Sequence, residues 1–143
     1  MKYLTKIIYF ILLLFFLVSC DDDKITNNKD ELSGTYKATK FTEPGSTDGG
    51  VDILANNGSL TLQFNKEQKV EGHLLIPADI GSNFAPIDTD FNGNYKVTND
   101  TLRFSNTVDV LDNNVYFLTK DSKLETPDYE GRRSLFKIIL EKK

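Results

Sequence analysis

The chain has 143 residues, with 17 Lys and Arg, 21 Asp and Glu, one His, one Cys and no Trp. That length gives room for one domain, not two. A lone Cys excludes an internal disulfide and any CxxC metal or redox pair, and a net charge of −4 argues against a nucleic-acid binder, which needs a basic face for phosphate.

The N-terminus reads as an address. Lys2 and Lys6 precede twelve uninterrupted apolar residues, Ile7 to Val18. A spanning helix needs about 20 such residues, so the run is too short to cross a bilayer and fits a secretory signal. It closes on Leu17-Val18-Ser19-Cys20. This resembles the bacterial lipobox, which implies that Cys20 receives a diacylglycerol, that cleavage follows Ser19, and that the new amino group is acylated. The partner implied is the membrane itself, held through the acyl chains at about 0.8 kcal/mol per buried methylene.

Loss of residues 1–19 removes two cations and no acid, so the charge moves from −4 to −6. A protein of that charge is repelled by anionic lipid and depends on its acyl chains for attachment. Asp21-Asp22-Asp23-Lys24 follow the Cys. An acidic run there resembles the export signal of Bacteroidetes-type surface lipoproteins, implying an outer-membrane protein displayed at the cell surface. The alternative is a periplasm-facing protein with a solvated linker. Residues 20–31 are polar apart from Ile25 and are expected to act as a flexible tether.

From Leu32 to Lys143 alternation replaces helical spacing. Tyr36 and Ala38 share one face, with Lys37 and Thr39 on the other. Leu60, Leu62 and Phe64 point one way, as do Val70, Gly72, Leu74 and Ile76. Phe91, Gly93, Tyr95 and Val97 form the next such set, followed by Leu102 and Phe104. The last run, Ser134 to Leu140, is apolar on both faces, as expected of a strand covered on both sides. Seven to nine strands are expected, the least regular at Thr107 to Leu111 and Lys123 to Thr126.

The connections are rich in turn formers. Asn56-Asn57-Gly58 precedes the Leu60 strand, and Asp112-Asn113-Asn114 and Lys120 to Lys123 mark further turns. Asn99-Asp100 predicts a two-residue hairpin that pairs Val97 with Leu102 and Tyr95 with Phe104. An all-β fold of antiparallel meander connections follows, closing as a barrel of about eight strands or packing as a β-sandwich.

Leu32-Ser33-Gly34-Thr35-Tyr36 resembles the Gly-x-Trp opening of lipocalin-type barrels, with Tyr in place of Trp. Phe91 to Val97 and Asp100 to Phe104 resemble the repeated element of small bacterial lipocalin-like lipoproteins. The resemblance implies an up-and-down barrel over residues 32–143 that binds a small apolar or amphipathic ligand without catalysis. Tyr36, Leu62, Phe64, Leu74, Tyr95 and Phe104 share the expected inner face and are the candidate ligand contacts. The alternative is a protein-interaction or structural module of an outer-membrane assembly, its aromatics used only to fill the interior. Ile80 to Ile87, with Phe84 and Pro86, is a loop placed to lie over a barrel mouth.

Little in the sequence suggests catalysis. His73 is expected on the outer face with no second His, and no Gly-x-Ser-x-Gly elbow is present, so an enzyme is not expected. Asp88-Thr89-Asp90-Phe91-Asn92-Gly93 matches the first half of a calcium loop, with Asp88, Asp90 and Asn92 as ligands, although Asn99 stands where the bidentate Glu belongs. The competing expectation is an Asx-rich turn entering the Phe91 strand. Calcium is the one cofactor considered. Asp48 to Asp52 reads as a loop, and Arg132-Arg133, beside Tyr129 and Glu130, as a turn able to contact an acidic partner.

Overall fold

The structure is a computed structural model that describes residues 32–43, 50–119, 121–127 and 136–143. The signal segment, the tether with Cys20, and Arg132-Arg133 lie outside the described residues. Nine strands are present: β1 Gly34–Glu43, β2 Val51–Asp52, β3 Ser59–Phe64, β4 Lys69–Ile76, β5 Ile87–Thr98, β6 Thr101–Ser105, β7 Val115–Leu118, β8 Leu124–Glu125 and β9 Lys137–Lys142. Every pairing is antiparallel, and β9 returns to pair with β1. Eight strands therefore close an up-and-down barrel. The ninth, β2, lies in the β1–β3 connection and pairs with the last two residues of β1. The sandwich alternative is thereby excluded.

Alternation places the side chains as expected along most of the barrel. Leu60, Leu62 and Phe64 are buried on β3, and Val70, Leu74 and Ile76 on β4. In register, Gly72 stands between Leu62 and Phe91. A Cβ on Gly72 would lie 2.2 Å from the Thr61 carbonyl oxygen and 2.7 Å from Phe91 Cζ, so the missing side chain makes room for the Phe91 ring. The β5–β6 hairpin has the expected register, Tyr95 opposite Phe104 and Val97 opposite Leu102. Asn99 takes φ 57° at its tip, a left-handed conformation that Asn tolerates.

Three expectations are corrected. Asp109–Asp112 is a short helix, α1, in place of a strand near Thr107 to Leu111. Val110 and Leu111 are both buried. Adjacent residues of a strand face opposite sides, whereas one helical turn can sink both into the core. Asp88 to Asn94 is not a turn but the first half of β5, pairing with β4 from Ile76↔Ile87 to Lys69↔Asn94. Val51 and Asp52, expected in a loop, form β2.

One irregularity shapes the rest of the molecule. Along β1 the partners on β9 run Ala38↔Leu140 and then Lys40↔Ile139, which leaves Thr39 as an extra residue. Such a bulge resets the inside–outside alternation of its strand. Tyr36 and Ala38 face inward before it; Phe41 and Glu43 are the buried residues after it.

Candidate functional site

Up-and-down order puts the connections alternately at two ends of the barrel. At one end, β3–β4 is joined by Asn65 to Gln68 and β5–β6 by Asn99-Asp100. The Asn65 side chain organises the first turn by accepting from the amides of Glu67 (3.1 Å) and Lys69 (2.8 Å). The opposite end carries the longer connections, including residues 77–86 between β4 and β5 and the α1 segment between β6 and β7.

The six candidate ligand contacts are brought together inside the barrel. Tyr36, Leu62, Phe64, Leu74, Tyr95 and Phe104 are between 0 and 4 % exposed. Their rings touch one another. Phe64 meets Tyr36 edge-on at 5.1 Å and Tyr95 at 4.9 Å, and it stacks on Phe104 at 5.9 Å; Phe104 meets Tyr116 at 5.1 Å. Offset and edge-to-face contacts of this kind are favourable beyond the area they bury. The middle of the barrel is thus filled by the residues expected to line it.

The Tyr95 hydroxyl donates to the Asn65 carbonyl at 2.7 Å, which ties the core to the tight-turn end. Burial, and secondarily the Glu67 carboxylate, pushes that hydroxyl's pKa up. Burial pushes the fully buried Tyr116 hydroxyl up much further.

At the other end lies an arrangement that alternation does not reveal. Glu43 is 3 % exposed at the close of β1. Its carboxylate accepts from Ser82 Oγ (2.5 Å), from the Asn83 amide (3.0 and 3.2 Å to the two oxygens) and from Asn83 Nδ2 (2.8 Å). The Phe84 amide in turn donates to Ser82 Oγ at 3.0 Å. The Phe84 ring lies 4.6 Å from Phe136, which lies 5.1 Å from Phe41. The 77–86 segment is thus drawn onto the barrel end, where Ile80 and Phe84 pack against the core. The segment also folds around a half-open concavity of about 350 Å³, lined by its own residues, among them Pro77, Asp79, Ile80, Ser82 and Phe84. The loop was legible in the sequence; its carboxylate anchor was not, because strict alternation from Tyr36 puts residue 43 outside.

The outer face holds the remaining candidates. Asp88, Asp90 and Asn92 project outward at every second position of β5. Asp88 and Asp90 turn toward His73, which faces Asp90 across the strands. His73 Nδ1 lies 2.9 Å from Asp90 Oδ1 and its Nε2 lies 3.4 Å from Asp88 Oδ1. No group of three or more His, Cys, Asp or Glu side chains suited to a metal occurs among the described residues. An open groove of about 440 Å³ runs over this face, lined in part by Thr61, Leu62, Gln63, His73, Asp90 and Phe91.

No protein-family model matches the chain, and no curated protein matches it. Among solved structures it is similar to the crystal structure of an uncharacterized protein from Bacteroides eggerthii, with a TM-score of 0.44 and 14 % identity, over 78 % of this chain and 99 % of that one.

Proposed function

We propose that this is a cell-envelope lipoprotein, anchored in the outer membrane by acylated Cys20, whose barrel binds a small apolar or amphipathic ligand without catalysis. The observation that carries the ligand reading is the apolar cover at this end of the barrel, where Ile80 and Phe84 pack against the core and Phe84 lies on Phe136, itself against Phe41. Ligand pockets are mostly apolar, and these rings supply such a surface beneath the 77–86 segment. Because Phe64 and its ring neighbours occupy the middle of the barrel, the contact falls at this end and not in a deep calyx. The non-catalytic reading is supported by the partners of His73, both of whose ring nitrogens face exposed carboxylates.

Native mass spectrometry of the full-length lipidated protein, released from detergent, tests this reading. The expected result is a bound small molecule in addition to the covalent acyl mass. A spectrum with no such adduct, from protein purified gently from its own membranes, favours the second reading. That reading is an interaction or structural module of an envelope assembly, supported by the ring-to-ring packing of Tyr36, Phe64, Tyr95 and Phe104.

A further inference from the structure

We propose that residues 77–86 form a lid over one end of the barrel, latched shut by the Glu43 carboxylate, and that its release uncovers Phe41 and Phe136. The inference rests on the apolar-ligand reading for what passes beneath the lid, but the latch itself stands on geometry.

Three observations carry it. First, among the described residues no backbone–backbone hydrogen bond joins 77–86 to the barrel. The polar attachment runs through side chains, and its acceptor is Glu43, reached by Ser82 and Asn83 from about 40 positions along the chain. Second, Glu43 is the one charged residue buried among the described residues, and all the donors it meets there are neutral. Closing the lid strips water from the carboxylate, and opening restores it. The hydration regained offsets much of the hydrogen bonding lost. The latch is therefore weaker than its bond count suggests, and local opening is favoured over unfolding of the barrel. Third, Pro77 and Pro86 fix φ near the two ends of the segment. Between them Asp79 (φ 60°) and Gly81 (φ 78°) take left-handed conformations, and a few such loop positions can absorb a hinge motion.

Ile80 and Phe84 supply the apolar half of the closure. Phe84 rests on Phe136, and Phe136 on Phe41. Lifting the segment therefore exposes a short aromatic floor at the end of the barrel while leaving the Phe64 cluster untouched.

Amide hydrogen exchange on the full, lipid-anchored chain in nanodiscs tests the latch, because the Asn83 and Phe84 amides are themselves donors within it. In the unmodified protein these amides should exchange at least tenfold faster than those of β3 and β4. Glu43→Gln should accelerate them a further tenfold or more while leaving β3 and β4 unchanged. Ser82→Ala, at a loop position that cannot unfold the barrel, should accelerate them about threefold and decides the matter if Glu43→Gln does not fold. The latch is overturned if the two amides exchange at the rate of the barrel, or if either variant moves lid and barrel together.

A diazirine-bearing palmitate, photolysed in the same nanodiscs, reads the ligand separately. Labelling of the peptides bearing Phe41 and Phe136 should rise severalfold in Glu43→Gln. A lid that opens without labelling removes the apolar ligand and leaves the latch. Equal labelling in variant and parent, with no change in exchange, removes the latch and leaves the ligand.

Discussion

Phe64 sits where the core is most interconnected, touching the rings of Tyr36, Tyr95 and Phe104. Removing it leaves a cavity that three rings cannot close, and Phe→Ala changes at such positions cost about 3 to 5 kcal/mol. We expect Phe64→Ala to lower the unfolding free energy from urea titration by that amount, while Phe84→Ala, at the half-buried edge, costs less. Tyr116 gives a prediction of a different kind. Burial raises its pKa in the folded state above the ordinary value of about 10. The resulting stability is fully present below pH 10 and is lost as pH rises, because the unfolded chain releases that proton first. Stability should therefore fall above pH 10, and Tyr116→Phe should flatten the decline. Denaturant midpoints measured from pH 8 to pH 11 would show no difference between the two proteins if the hydroxyl were solvated.

Strand parity was legible wherever both neighbours of a residue obey it. The β3, β4 and β5 faces, and the Tyr95–Phe104 pairing, follow directly from alternation and a two-residue Asn-Asp turn. That turn can be tested on its own. Asn99 has φ 57°, where a residue with a branched Cβ is strained by about 1 to 2 kcal/mol. Asn99→Val should destabilise by about that much in thermal melts, and Asn99→Gly should not. Alternation failed in two places, for two reasons. Near Thr107 to Leu111 the pattern Val108-Asp109-Val110 mimics a strand, but the Asp112 carboxylate accepts from the Thr107 amide and winds the segment into α1. In β1, Thr39 is simply added, and no residue type signals it. The candidate site inherits these limits. The six inner-face residues were readable and do pack together inside the barrel, whereas Glu43, Ser82 and Asn83 depend on a bulge and on a contact between distant segments.

At the scale of the whole molecule the two ends of the barrel differ in kind. β1 starts at the end that carries the tight turns, so a tether preceding Leu32 joins the barrel there and the lid lies at the opposite end. Under the anchor reading, the twelve residues from Cys20 to Glu31 can span at most about 40 Å, enough to hold the domain clear of the bilayer, and the lid end faces away from the membrane. Cys20→Ala should move the protein from the membrane fraction to the soluble fraction and block its processing; unchanged partitioning would refute the anchor. Ala78→Cys, on the exposed part of the lid, then distinguishes the two leaflets. A membrane-impermeant maleimide should label it on intact cells if the protein is displayed, and only after the outer membrane is opened if it faces the periplasm.

The extra residue at Thr39 separates two runs of β1 that alternate out of phase with one another. Tyr36 and Glu43 are an odd number of residues apart, yet both are buried, because the bulge takes up the odd step. Losing Thr39 would leave an even spacing, so Phe41 and Glu43 would keep their inward places on a regular strand and only the local bend would go. A residue added after Thr39 and taken up as regular strand would do the reverse and turn the Glu43 carboxylate out to water. Shortening and lengthening β1 by one residue are thus unequal changes: the first spares the latch and the second removes it.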